Sequence, residues 1–292
     1  MGIKVGIDSY CYHRFFGEIY DIQPKTDIRW TYEQFIERAG QLGVEGVSLE
    51  TCFFPTINEE YISKLKNLLD KYNLERVVAW GHPDGFEGGK NEKALDDLRK
   101  YFSVTKKLGT NILRIVASSL KYRDEPHEPQ LKKLTKILKK ACEEAETYGL
   151  ILALENHIDY TADEIVTLIE RVGFDNLKVN FDTGNALRMF EDPVQAAEKL
   201  APYVVATHIK DLSPVKYNKF YNTRCTPKDW FFWASVPVGD GIIDIPSIVK
   251  ILHDAGYKGC YTIEIDCLKE GYENEDEAVE KSVKYLRSLK IE

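Results

Sequence analysis

The sequence predicts a single (β/α)8 barrel, and three observations support this prediction. Short apolar, β-branched runs alternate with longer segments of helical period along the whole chain of 292 residues, and eight such pairs can be counted. Several of the runs are apolar on both faces, as parallel strands buried between helices are. The first run leads into DSYCYH and not into a glycine-rich turn, which disfavours a doubly wound nucleotide-binding sheet. We therefore expect one barrel domain over residues 1–292.

The elements can be placed in chain order from their periodicity. Strands are predicted at residues 4–10, 46–51, 76–82, 111–118, 150–157, 177–183, 204–211 and 260–266. Helices are predicted at residues 31–42, 58–72, 91–108, 128–148, 161–172, 192–200, 246–255 and 276–290. Glycines at the helix-to-strand turns support these limits, because a residue at positive φ ends a helix at low cost.

One connection, at about residues 212–241, is much longer than the others. It is rich in aromatic side chains: Tyr217, Phe220, Tyr221, Trp230, Phe231, Phe232 and Trp233. Long connections after barrel strands lie at the catalytic face, so this loop is a candidate lid, and its Arg224 is a candidate substrate contact. The DWFFW run favours a contact between subunits over sugar stacking, because four adjacent large side chains cannot all face one small pocket. A homo-oligomer is expected.

Composition excludes several classes of partner. The chain has 39 basic and 47 acidic residues, a formal charge of −8, and this disfavours nucleic acid as a ligand. No apolar run approaches 18 residues, so a membrane role is not expected. The first residues lack the pattern of a secretory signal, which predicts a cytoplasmic location.

Ionisable side chains end the last four predicted strands. Glu155 ends strand 5, Asp182 ends strand 6, His208 ends strand 7 and Glu264 ends strand 8. Strand ends meet at one mouth of a barrel, where unpaired charges would be costly. Three carboxylates and one imidazole form a hard donor set that suits one Mn²⁺, Mg²⁺ or Co²⁺ ion. The alternative is that each side chain is an ordinary cap or salt-bridge partner.

Further polar residues lie at the same predicted mouth. His157 has the strand parity of Glu155, so it is either a general acid or base, a substrate ligand or a structural histidine. Lys210 is either an oxyanion contact or an ion-pair partner of a nearby aspartate. Tyr10, His13 and His82 follow strands 1 and 3 and are candidate substrate contacts.

The motifs ALENH, NFDTGN, ATHIKD, PVGDG and YTIEID resemble those of the xylose-isomerase-like barrel superfamily, which includes sugar isomerases, sugar 3-epimerases and inosose dehydratase. The resemblance implies that Glu155, Asp182, His208 and Glu264 are ligands of one divalent metal, with Mn²⁺ expected. It also implies that Glu155 and Glu264 act as acid and base on opposite faces of a sugar. Asn185 occupies a position where the 3-epimerases have a histidine, and it is a candidate substrate contact.

The predicted function is that of a metal-dependent sugar isomerase or epimerase. The ion would bind a carbonyl oxygen and its neighbouring hydroxyl, and stabilise the cis-enediolate formed when the α-proton leaves. The ENH run is also found in dehydratase-like and lyase-like members, so one alternative is a lyase or dehydratase on a keto sugar. A 3-keto-glycoside, as in a C-glycoside deglycosidase with a small partner subunit, is one such substrate. A noncatalytic sugar-binding barrel is the other alternative.

Overall fold

The computed structural model describes residues 2–216, 231–272 and 274–290. The strands are β1 (Val5–Asp8), β2 (Gly46–Glu50), β3 (Glu75–Ala79), β4 (Ile112–Ile115), β5 (Ile151–Glu155), β6 (Leu177–Asp182), β7 (Val204–His208), β8 (Asp211–Lys216), β9 (Phe231–Val236) and β10 (Tyr261–Ile263). The α-helices are α1 (His13–Phe16), α2 (Tyr32–Leu42), α3 (Glu59–Lys71), α4 (Ala94–Lys107), α5 (His127–Thr147), α6 (Ala162–Val172), α7 (Thr183–Arg188), α8 (Pro193–Leu200), α9 (Ile245–Asp254) and α10 (Glu275–Ser288).

Eight parallel strands form the barrel. Their order is β10-β1-β2-β3-β4-β5-β6-β7, and each neighbouring pair runs in the same direction. A parallel bridge between Ile209 and Ile263 joins the two ends of the sheet. The predicted (β/α)8 fold is therefore confirmed. All eight strands present their carboxyl ends at one mouth, which is where this fold places its chemistry.

The longer helices cover the sheet with one apolar face, and α6 is an example. Thr161 and Glu164 form a capping box at its start, and Gly173 ends it at φ 68°. Ile165, Leu168 and Val172 lie on its buried face. The 3.6-residue periodicity that predicts helices in the sequence is the same pattern that places these side chains against the strands.

The predicted strands extend too far at the mouth. The first was predicted to reach residue 10, but β1 ends at Asp8, whose side chain caps a 3-10 turn over Ser9–Tyr12. The sixth ends at Asp182, which caps α7 directly. The strand-end acids accept backbone N–H groups of the next turn, so the chain leaves the sheet at these acids and not beyond them.

The predicted lid segment over residues 212–241 contains two strands, and its role as a lid stays a prediction. Its two flanks, β8 and β9, pair as an antiparallel ribbon, and β8 begins at Asp211, inside the predicted seventh strand. Trp233 of the ribbon packs against the barrel core. Arg224 and the predicted aromatic residues Tyr217, Phe220, Tyr221 and Trp230 lie outside the described residues.

A buried carboxylate, Asp211, fixes the turn that follows the ribbon. It accepts hydrogen bonds from the backbone N–H groups of Leu212 (2.9 Å), Gly239 (2.9 Å), Gly241 (2.9 Å) and Ile243 (3.2 Å). A Cβ atom on Gly241 would lie 1.9 Å from an Asp211 oxygen, so only glycine fits there. Burial raises the pKa of Asp211, against the effect of these four donors.

Replacing Asp211 with alanine is expected to lower the free energy of unfolding by about 3 kcal/mol, because four backbone donors lose a buried acceptor. Urea unfolding would measure the change. Asp240→Ala is the matched control, because Asp240 lies in the same turn but pairs with Lys281 at the surface. It should cost less than about 1 kcal/mol. Equal losses in the two variants would contradict the anchoring role of Asp211.

None of the helices in the described ranges combines the length and the apolar character needed to cross a bilayer.

Candidate metal centre

Four side chains from adjacent strand ends converge at the mouth of the barrel. Each side chain offers one possible ligand atom, a carboxylate oxygen or an imidazole nitrogen. These four atoms all lie within 4.8 Å of one another. The four are Glu155, Asp182, His208 and Glu264, and all are buried. The sequence prediction grouped the same four residues. Their convergence follows from the parallel register, in which Asp182 pairs directly with His208.

The imidazole of His208 turns its Nδ1 atom toward the three carboxylates. Nδ1 lies 2.6 Å from Glu264 Oε2, 3.4 Å from Glu155 Oε2 and 3.9 Å from Asp182 Oδ2. His208 Nδ1, Asp182 Oδ2 and Glu264 Oε2 are buried without a partner in hydrogen-bond geometry. Two carboxylate oxygens and one imidazole nitrogen without hydrogen-bond partners, beside the Glu155 carboxylate, form a donor set that fits one hard divalent cation. The cluster could therefore bind a metal ion.

The ligands are held by neighbouring amides. Asn185 donates from Nδ2 to Glu155 Oε1 (2.9 Å), and its backbone N–H donates to Asp182 Oδ1 (2.8 Å). Asn156 makes two 2.8 Å bonds with the backbone of Asp182. Asn185 was predicted to contact substrate; its Nδ2 contacts Glu155, and its buried Oδ1 has no hydrogen-bond partner in the described part of the chain.

Arg114 of β4 holds the other oxygen of Glu155. Its Nε donates to Glu155 Oε2, and its Nη1 lies 3.5 Å from Glu50 Oε1. Burial opposes the ionisation of Glu155, but Arg114 and His208 outweigh it, so the pKa of Glu155 lies well below its usual value. Burial prevails at Glu50 and raises its pKa to about 8. Glu155 is thus ionised, and both of its oxygens have protein donors.

Lys210 lies among three carboxylates. Its Nζ is 3.0 Å from Glu264 Oε1, 3.1 Å from Asp182 Oδ2 and 3.4 Å from Asp266 Oδ2. Asp266 in turn binds both Arg188 (2.5 Å) and Ser235 Oγ (2.6 Å). Of the two sequence interpretations of Lys210, the ion pair is present. Its ammonium offsets part of the negative charge of the cluster.

His157 differs from the ligands because it is neutral. Burial lowers the pKa of His157 to about 4, although Glu155 acts in the opposite direction. Its Nδ1 is buried without a hydrogen-bond partner in the described ranges. Glu155 and Glu264 raise the pKa of His157 and Lys210 lowers it, and His157 follows Glu155 by two residues in the chain. A neutral imidazole whose Nδ1 has no hydrogen-bond partner has a lone pair available to accept a proton.

The other predicted substrate contacts lie around the mouth. His13 is fully buried, with Nδ1 2.9 Å from the Tyr10 carbonyl and Nε2 3.1 Å from Gln23 Oε1, so both ring nitrogens have protein partners. Tyr10 stacks on His13 and is partly exposed. His82 is also partly exposed and accepts the Asp84 N–H at 3.3 Å. Tyr10, His13 and His82 all stay predicted contacts.

Sequence reasoning missed three charged residues near the ends of the first four strands. Asp8 and Glu50 end β1 and β2, Arg114 is the last residue but one of β4, and all three make ion pairs at the same centre as the ligands. The signal was available, because GID, SLE and LRI each place a charged residue after apolar ones near a strand end. Strand parity indicates that such residues point into the barrel. It does not indicate which side chain each of them contacts there.

Comparison with known proteins agrees with this architecture. The family model of the xylose isomerase-like TIM barrel matches residues 36–289. Inosose dehydratase of Clostridium beijerinckii is 25% identical over 269 residues, covering 84% of this chain and 86% of that protein. An L-ribulose 3-epimerase structure superposes with a TM-score of 0.72 at 18% identity, covering 98% of this chain and 93% of the other.

A xylose isomerase-like barrel protein from Mycobacterium smegmatis, solved in complex with magnesium, superposes with a TM-score of 0.70. It is 15% identical, and the match covers 98% of this chain and 96% of that one. At this identity the likeness shows the fold alone. The match of the family model over most of the sequence, together with eight parallel strands in barrel order, shows that this chain belongs to the xylose isomerase-like TIM barrel family.

Proposed function

We propose that this chain is a metal-dependent dehydratase, or more generally a lyase, that eliminates a β-substituent from a keto sugar or keto-cyclitol. The observation that carries the proposal is the different state of the two candidate bases. Both oxygens of Glu155 are engaged by Asn185 and Arg114, whereas His157 is neutral with an unpartnered nitrogen. The named relatives include inosose dehydratase and a 3-epimerase, so both outcomes occur in this fold.

Glu155, Asp182, His208 and Glu264 would hold the ion. When bound there, a divalent cation supplies Lewis acidity that stabilises negative charge on a substrate carbonyl oxygen. The pKa of Glu264 is also lowered, because Lys210 and His208 outweigh the burial that opposes its ionisation. Carboxylate oxygens that bind an ion or already accept hydrogen bonds have fewer lone pairs available for a carbon-bound proton.

His157 would take the proton from the carbon next to the carbonyl. The C–H electron pair forms the enolate double bond, and the imidazolium then returns its proton to the departing β-hydroxyl. The carbon–oxygen bond breaks, water leaves, and an unsaturated ketone forms. A single base on one face is sufficient for this sequence, whereas epimerisation requires a second group that returns a proton to the opposite face.

The test is incubation of the protein and Mn²⁺ with an inosose, ketohexoses and 3-keto-glucosides in D₂O, followed by NMR. Loss of water or of an aglycone, with an unsaturated ketone as product, is the expected result. Deuterium incorporation without loss of a substituent would favour the isomerase or epimerase predicted from the sequence. No exchange with any member, despite bound metal, would favour a binding protein.

A further inference from the structure

His208 has a second neighbour on the side opposite the ligand carboxylates. Its Nε2 lies 3.4 Å from Oδ2 of Asp8, at the end of β1. Both atoms are buried, and neither has another hydrogen-bond partner among the described residues. Nδ1 faces the ligand carboxylates and Nε2 faces Asp8, so the two ring nitrogens have different environments.

Asp8 is itself held in place. It is fully buried, and its Oδ1 accepts the backbone N–H of Tyr10 at 2.5 Å, which caps the 3-10 turn after β1. Because Oδ1 is committed to this bond, Oδ2 is the oxygen left to face His208. The carboxylate is therefore oriented by the backbone and not by the imidazole.

We propose that Asp8 is a positioning residue that accepts the Nε2 proton of His208 and so keeps the lone pair on Nδ1 for the metal. The inference rests on the proposed metal site. A ligating histidine binds through one nitrogen only when the proton is on the other, and a carboxylate that holds this proton fixes both the tautomer and the ring orientation.

Substitution by asparagine separates this role from simple packing. In Asp8→Asn, the carboxamide oxygen is expected to keep the bond from the Tyr10 N–H, which turns the NH₂ group toward His208. Nε2 must then accept a hydrogen bond, so the ring proton moves to Nδ1 and blocks the ligand position. In Asp8→Ala, a water molecule can replace the carboxylate, and the ring stays free to adopt either tautomer.

The experiment measures Mn²⁺ dissociation constants by competition with a fluorescent chelator, and thermal midpoints without metal, for the full chain. We expect Asp8→Ala to bind Mn²⁺ about 10 to 100-fold more weakly than the wild-type protein. Asp8→Asn should bind at least as weakly, although it should have the higher midpoint of the two because it retains the Tyr10 bond. Of the two Asp8 variants, the one with the higher thermal midpoint would then not be the one that binds Mn²⁺ more tightly.

Asp159→Asn is the matched control. Asp159 is also a buried carboxylate near a strand end, and it accepts the N–H groups of Ser118 (2.9 Å) and Tyr160 (2.8 Å). Its substitution should leave Mn²⁺ affinity within about twofold of the wild-type value, because both of its oxygens bind backbone donors and not a ligand.

Two results would overturn the role of Asp8 alone: wild-type affinity in both Asp8 variants, or an affinity loss that is smaller in Asp8→Asn than in Asp8→Ala. The second result would show that shape and packing are sufficient. Absence of Mn²⁺ binding in the wild-type protein would overturn the proposed metal site, and the role of Asp8 with it.

Discussion

Replacing Glu264 with glutamine is expected to lower turnover by at least about 10³-fold and to weaken Mn²⁺ binding by about 100-fold or more. The variant keeps the shape of the side chain but removes a charged ligand that lies 2.6 Å from His208 Nδ1. It also leaves the ammonium of Lys210, 3.0 Å away, with one carboxylate fewer. Metal titration by calorimetry and a turnover assay with added Mn²⁺ would measure both effects.

Glu270→Gln serves as the control for Glu264→Gln. Glu270 follows the same strand but is exposed to solvent, so its substitution should change neither metal binding nor turnover. Treatment of the wild-type protein with a chelator should abolish turnover, and added Mn²⁺ should restore it. Wild-type metal affinity in Glu264→Gln would remove this residue from the ligand set.

His157→Asn is expected to lower turnover by about 10²- to 10⁴-fold, because the variant lacks the proton acceptor. Metal affinity should stay within about threefold of the wild-type value, since His157 is not among the four clustered ligands. Exchange of the α-proton with D₂O should fall in parallel with turnover. His253→Asn, on α9 in the outer layer, should behave as the wild-type protein does.

The pH dependence gives a second check on His157. Burial lowers its pKa to about 4, so the neutral, proton-accepting form is present at pH 7 and persists well below the usual histidine value of 6.5. The rate should therefore not fall through pH 6.5 on account of this residue, and its acid limb should lie near the lowered pKa. Full turnover in His157→Asn would return the role of base to Glu155 or Glu264.

The proposed elimination depends on a contrast between Glu155 and Glu264 on one side and His157 on the other. In a site where two carboxylates exchange protons with substrate, each needs an oxygen free of other donors. Here Asn185 and Arg114 occupy both oxygens of Glu155, and Lys210 and His208 lie beside those of Glu264. The proposed preference for elimination therefore rests mainly on Glu155, whose two oxygens both accept hydrogen bonds from protein donors.

Much of the site follows from strand parity. Glu155, Asp182, His208 and Glu264 each end an apolar run, and the parallel order of eight strands brings such positions to one mouth. The partners of these residues could not be predicted in the same way. Asn185 was predicted to contact substrate, and this stays a prediction; that its Nδ2 donates to Glu155 was not predicted.

The sequence by itself determined the fold class, the succession of strands and helices and the identity of the clustered acids and imidazole, because periodicity and strand-end polarity are local properties. Only the tertiary structure decided that Asp8 meets His208, that Arg114 meets Glu155 and that β8 pairs with β9 as a ribbon. These contacts join strands far apart in the chain, and they depend on how the barrel closes and on the stagger between its strands. No local pattern encodes that geometry.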